Sequence, residues 1–183
     1  MKTLTEIAKD ILNKPATHKN EYGCVMVFIE PNSEFKDIHR KIYKQDIYED
    51  PEDPSFGLEH EPHVTLLFGL HPEVTLEQVK GSLAGYEFNE PLKAYNVSCF
   101  NNEKYDVLKF DIEGEHLAEM NTALKKYPYT SKFPDYHPHS TIAYLKPRTG
   151  QKYVDMFKGL EIEFIPSHYV YSEASGEKTN IPL

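Results

Sequence analysis

Two short runs, Pro62-His63-Val64-Thr65-Leu66 and Pro138-His139-Ser140-Thr141-Ile142, hold the residue types best suited to chemistry. Each sets a histidine two residues before a threonine. On an extended chain alternate side chains share a face, so the imidazole and hydroxyl of each run point into one space. A neutral imidazole accepts a proton from an attacking hydroxyl, and an imidazolium gives one to the leaving oxygen. Threonine hydroxyls donate to the non-bridging phosphate oxygens, where charge builds in the transition state. Two such pairs facing each other predict phosphodiester cleavage with His63 and His139 as proton carriers. Thr65 and Thr141 hold the phosphate, and no metal or other cofactor is called for. A single His-x-Thr arises easily by chance. A pair, each led by proline and followed by an apolar strand, carries far more information.

Other chemistries have to be weighed against this one. His60 with His63, or His137 with His139, has metal-ligand spacing, and Glu59 and Glu61 could add carboxylates. Nothing matches His-Glu-x-x-His, however, and no cysteine pair completes a zinc set. His18, His39, His71, His116 and His168 have no partner pattern and read as surface or structural. A non-enzymatic nucleotide-binding module, with both motifs structural, is the remaining alternative.

The elements that must position these groups follow from periodicity. Thr3–Leu12 reads as a short helix ended by Pro15. Tyr22–Ile29 is nearly all apolar, as a buried strand is. Ser33 caps a helix to about Lys44. Asp46–Glu61, with two prolines in Asp-Pro-Glu-Asp-Pro, is irregular and is expected to rim a binding site. His63–Phe68 is a strand with Val64, Leu66 and Phe68 against the core. Thr75 and Gln78 form a capping box for a helix to Leu83. Strands over 92–100 and 105–112, a helix over 115–126, a strand over 139–145, a short helix to Gly159 and strands over 160–165 and 168–172 complete the order. Residues 175–183 read as a polar tail. The series strand, helix, His-x-Thr strand, helix, strand thus occurs twice, over 22–100 and 105–172. It predicts one α+β domain over 1–183 with two pseudo-symmetric lobes, antiparallel-rich curved sheets, outer helices and a central cleft.

The chain has 183 residues, enough for one core. It has 20 basic against 29 acidic residues, a net charge of −9, and so lacks the basic balance of a protein that tracks long nucleic acid. No apolar run is long enough to span a membrane, and the first residues have no signal-peptide core, so a cytoplasmic monomer is expected. Cys24 and Cys99, each in an apolar run, read as free thiols.

The paired motifs resemble those of the 2H phosphoesterase superfamily, which includes the 2′,5′-RNA ligase-like (LigT-like) proteins and cyclic nucleotide phosphodiesterases. The resemblance spans about Tyr22 to Ser172. It implies a two-lobed fold with the motifs facing across a cleft, and metal-free cleavage of 2′,5′- or 3′,5′-phosphodiesters or 2′,3′-cyclic phosphates. The compact size and acidic balance are similar to those of phage anti-CBASS enzymes, which degrade the cyclic oligonucleotide signals of bacterial immunity. That likeness implies a small cyclic or linear oligonucleotide substrate. RNA-end processing by 2′,3′-cyclic phosphate hydrolysis is the alternative within the superfamily. Aromatic residues hold bases in such enzymes. Tyr22, Tyr136 and Tyr171 are the candidates here, and Glu173 could accept a hydrogen bond from a base or tune a histidine.

Overall fold

β1 (Gly23–Glu30) and β4 (Asp106–Glu113) are apolar on their inward faces, where Val25, Val27, Leu108 and Phe110 are fully buried. Each is paired on both sides and heads one of two successive series in the computed structural model, which describes residues 21–131 and 135–183. The expected Thr3–Leu12 helix lies outside the described residues. The first series is β1, α1 (Ser33–Lys41), β2 (His63–Leu70), α2 (Leu76–Leu83) and β3 (Leu92–Asn101). The second is β4, α3 (Leu117–Leu124), β5 (His139–Leu145), α4 (Gly150–Met156) and β6 (Ile162–Ser172), after which comes β7 (Lys178–Pro182). Among the described residues no helix is long and apolar enough to cross a membrane.

All the strand pairs are antiparallel, in the order β2-β1-β6-β3-β4-β5 with β7 beside β6. The order is palindromic under the exchange of the two series. It also shows that the lobes are not the two halves of the chain. β6 completes the sheet of β1 and β2, and β3 completes that of β4 and β5. The two parts join in the strand order where Leu92–Ala94 of β3 pairs with Ile162–Phe164 of β6. Beyond that point β6 passes a bulge at Ser167, next to Pro166, and pairs with β7 instead. A bulge is where a strand tolerates proline.

Local signals explain most boundaries. Asn32, not Ser33, caps α1. Its Oδ1 accepts from the Phe35 amide at 2.8 Å while its side-chain amide donates to the Glu163 carbonyl at 2.8 Å. The Thr75–Gln78 box is complete, with the Thr75 amide donating to Gln78 Oε1 at 2.8 Å and the Gln78 amide to Thr75 Oγ1 at 3.3 Å. The expected polar tail is corrected to a strand. Gly176, at φ 90°, turns the chain back, and Lys178–Pro182 then places Ile181 in the core. The polar run before it, Glu177–Asn180, conceals this inward position in the sequence.

The outer strands β2 and β5 would otherwise leave free edges. Residues 46–59 cover β5. The Tyr48 amide donates to the Tyr144 carbonyl at 3.0 Å, the Tyr144 amide to Gly57 at 2.7 Å and the Glu59 amide to Ile142 at 3.0 Å. Residues 128–130 cover β2, with the Thr130 amide donating to the Gly69 carbonyl at 2.9 Å. Gly69 is required there, because a Cβ would lie 1.9 Å from the Thr130 carbonyl oxygen. Each series therefore covers the edge of the other's motif strand.

Both motif strands carry a bulge immediately after the threonine. Leu66 has no partner on β1, and Ile142 has none on β4. The displaced carbonyls are caught from the opposite series. Asn121 of α3 donates to the Leu66 carbonyl at 2.6 Å, and the His39 Nε2–H of α1 donates to the Ile142 carbonyl at 3.0 Å. Stranding a buried carbonyl costs about 1–3 kcal/mol, so Asn121 matters more than its single bond to Leu66 suggests, while the Ile142 carbonyl also accepts from the Glu59 amide. Burial, helped by His60, holds the His39 imidazole below its ordinary 6.5 despite the bond to Ile142.

This sets a pH dependence. A depressed folded value means that the unfolded chain protonates first as the pH falls. The His39 contribution is complete above about pH 6.5 and is lost as the pH falls through the lower folded value. Urea denaturation should show a falling midpoint between pH 7 and pH 5. His39→Gln, which keeps a donor but does not titrate, should fall less over the same interval. An equally steep decline in the variant would remove His39 from the acid response.

Candidate active site

Each histidine is oriented by the proline before it. Proline has no N–H and cannot open the ladder at its own nitrogen, and it holds the preceding residue extended. The Pro62 carbonyl accepts from the Ile29 amide at 2.9 Å, and the Pro138 carbonyl from Ile112 at 2.9 Å. The carbonyls one residue further back face the rings. His63 Nδ1 lies 2.9 Å from the Glu61 carbonyl oxygen, and His139 Nδ1 lies 2.9 Å from that of His137. A carbonyl only accepts, so Nδ1 carries the proton in both rings and Nε2 is the atom offered outward.

Cross-strand partners share a face, and this defines what surrounds each ring. Phe28 lies opposite His63 and Met26 opposite Thr65. In the other lobe Asp111 lies opposite His139 and Lys109 opposite Thr141. β2 and β5, at the two ends of the strand order, come into contact, and the charge of His63 is felt at His139. The two motif strands therefore lie close together, with His63 within electrostatic reach of His139. All four motif side chains are half-buried.

The surroundings of the two rings differ. The His63 ring stacks on Phe28 at 5.3 Å between centroids, and the His168 ring lies at 5.2 Å from the same Phe28 ring. The Phe100 and His139 rings stand nearly perpendicular, 5.5 Å between centroids. Lys109, only 7% exposed, places its Nζ 2.5 Å from Asp111 Oδ1 and 4.8 Å from the centroid of Phe100. Asn96, at φ 48° in a bulge of β3, donates its side-chain amide to Asp111 Oδ2 at 2.5 Å. Burial raises the Asp111 carboxyl, but the bonds from Lys109 and Asn96 outweigh it and hold the group below its ordinary value. Burial lowers the His139 imidazole most. Lys109 and His63 lower it further, against the His137 carbonyl and Asp111. The Cys24 thiol, next to Thr65, is pushed up to about 12 by burial.

The remaining sequence candidates fall elsewhere. Tyr171 is corrected to a core residue. It is 1% exposed, lies opposite fully buried Val25, and its hydroxyl donates to the Val74 carbonyl at 2.7 Å. Tyr22 precedes β1 at the end where Gly23 meets Leu70, and its ring rests 5.6 Å from that of His71. His63 is at the opposite end of that pairing. Tyr136 packs on the core with its hydroxyl buried and without a hydrogen-bond partner among the described residues. Glu173 sits in the β6–β7 turn, where its amide donates to the Glu177 carbonyl at 2.8 Å.

Phe68, expected against the core, is 58% exposed. The Leu66 bulge shifts the alternation by one, so Leu66 and Leu67 are both buried and Phe68 turns outward opposite Cys24. Sequence reasoning misses Lys109, Asp111, Phe28 and Phe100. The available signal is Lys109-Phe110-Asp111, two charges flanking one residue in an apolar strand and therefore on one face. Among the described residues no group of three or more His, Cys, Asp or Glu side chains is placed to hold a metal ion.

The structure is similar to that of Kluyveromyces marxianus Usb1, with a TM-score of 0.57 and 11% identity over 90% of this chain and 99% of that one. The same protein with uridine monophosphate gives 0.56 and 10% identity, over 90% and 100% of the chains. Escherichia coli LigT complexed with 3′-AMP is 17% identical over 89% and 96%, at a TM-score of 0.43. No protein-family model and no curated protein sequence matches the chain. The protein shares the fold of Usb1, an antiparallel sheet flanked by helices.

Proposed function

We propose that this protein is a phosphodiesterase that cleaves small cyclic or 2′,5′/3′,5′-linked oligonucleotides by acid–base chemistry between His63 and His139. One observation carries the reading: two His-x-Thr pairs with the same Nδ1-to-carbonyl clamp stand on two strands in contact, with His63 within electrostatic reach of His139. In one step, one Nε2 takes the proton of an attacking hydroxyl as its oxygen bonds to phosphorus. The other Nε2–H protonates the leaving oxygen as its bond to phosphorus breaks. Thr65 and Thr141 donate to the non-bridging oxygens. The fold likeness to a protein solved with uridine monophosphate supports a nucleotide as substrate. The net charge of −9 favours a short one, and cyclic oligonucleotide immune signals are the narrower form of this reading.

A substrate panel in excess EDTA tests it: cyclic di- and trinucleotides, 2′,5′-oligoadenylate, 2′,3′-cyclic nucleotides and RNA ends. Turnover of a small oligonucleotide is expected. His63→Ala and His139→Ala should each lower kcat by about 10²–10⁴ with circular dichroism unchanged. Thr65→Ala and Thr141→Ala should cost less, because both proton carriers remain. A histidine variant that keeps more than about a tenth of kcat would lie outside that range and outside the mechanism. Turnover of RNA ends alone would replace this substrate class with the end-processing one.

Residues 46–61 bear on substrate length. Both ends of the segment are pinned to β5, and Asp46 is held by the Tyr153 hydroxyl at 2.5 Å and Lys152 at 2.5 Å. Tyr48 and Phe56 pack around Tyr105 and Tyr144. The acidic tip, Glu49–Pro54, lies between these anchors and is proposed to turn away long polyanions. Deleting it should raise the rate on longer RNA relative to a cyclic dinucleotide. An unchanged ratio would make the segment a cover for β5 and nothing more.

A further inference from the structure

The two lobes present the same motif in different electrostatic settings. The palindromic strand order makes Met26 of β1 the counterpart of Lys109 of β4, and Phe28 the counterpart of Asp111. His63 therefore faces an apolar pair, and His139 faces an ion pair of buried Lys109 with half-buried Asp111. We infer that Lys109 is the positioning residue that divides the work of the site: His139 takes the proton from the attacking hydroxyl and His63 gives one to the leaving oxygen. This rests on the phosphodiesterase reading above.

Geometry on both sides points the same way. An ammonium beside an imidazole opposes a second positive charge there, and little water screens it, since the Lys109 side chain is 9% exposed. Asp111 opposes this effect, but its carboxylate is already engaged by Lys109 on one oxygen and Asn96 on the other. The further groups facing His139 are His63 from β2, the Phe100 ring from β3 and the His137 carbonyl on its own strand. Burial and Lys109 together favour the neutral ring, the form that accepts a proton. The His63 ring lies nearly parallel to that of Phe28, at 22°. The face opposite His63 carries Met26 and Phe28 where that opposite His139 carries Lys109 and Asp111, which leaves His63 as the donor.

In the proposed step the Nε2 of His139 gains the hydroxyl proton and the Nε2 of His63 loses one. Exchange with solvent then restores both rings. The assignment ties each limb of a bell-shaped pH profile to one ring. The acidic limb of kcat/KM reports the acceptor, His139, and the alkaline limb the donor, His63.

The test uses Lys109→Met, which copies the residue of the other lobe, and Lys109→Met with Asp111→Phe, which copies both and leaves no unpaired carboxylate. Two readouts are taken: the titration of the His139 ring by NMR, and the pH profile of kcat/KM on a substrate that the panel shows to be turned over. In Lys109→Met the His139 titration and the acidic limb should both move up, by about one pH unit, while the alkaline limb holds. The double variant should move them in the same direction by less, since the opposing carboxylate is gone as well. A shift of the alkaline limb instead, or an acidic limb unmoved in both variants, overturns the assignment while the phosphodiesterase reading stands. A wild-type protein that turns over no phosphodiester overturns that reading and, with it, both roles.

Discussion

The site depends on one short contact made twice: an imidazole Nδ1 on the carbonyl two residues before it, across a proline. The proline's own carbonyl anchors the start of the strand to its neighbour, and the carbonyl before it points the other way, to the ring. The contact sets the ring's tautomer as well as its direction. A histidine that keeps its proton on the inner nitrogen presents a lone pair at the outer one, and general base chemistry requires that lone pair. The threonine two residues on shares the face by alternation alone. Each motif is thus oriented by its own backbone over a few residues, and the fold has only to bring two copies together.

Bringing them together is where the two series depend on each other. β3 and β6 are exchanged, each outer edge is covered by a segment of the opposite series, and each bulge carbonyl is bound by a helix of the opposite series. The bulge comes immediately after the threonine in both strands. It ends the shared face there, and in β2 it turns Phe68 outward from the alternation that the motif begins. Asn121 and His39 make equivalent bonds with different chemistry, and only the histidine brings a proton-dependent element to the scaffold.

The repeated order of elements is legible in the sequence because helix and strand periods differ and the series recurs. The four residues of the paired motif are legible because no core or turn requirement calls for a histidine and a threonine on one strand face twice over. The exchange of β3 and β6 is not legible, since either strand offers an acceptable apolar partner to either sheet. The bulges are hidden because Leu66 and Ile142 look like ordinary core residues, and strict alternation then puts Phe68 on the wrong face. The aromatic candidates are the weakest for a general reason: a tyrosine near a strand end serves the core as readily as a ligand, and Tyr171 serves the core through Val74. Lys109 and Asp111 are visible as two charges on one face, but their significance needs the pairing that sets them against Thr141 and His139.

The central claim is that both motif histidines are held as Nδ1–H tautomers with Nε2 free to exchange protons. Two-bond ¹H–¹⁵N correlation spectra of protein labelled with ¹⁵N-histidine, recorded at a pH above the titration of both rings, test it directly. The account predicts a protonated Nδ1 and an unprotonated Nε2 for His63 and His139 alike. A protonated Nε2 in either ring of the free protein would contradict it.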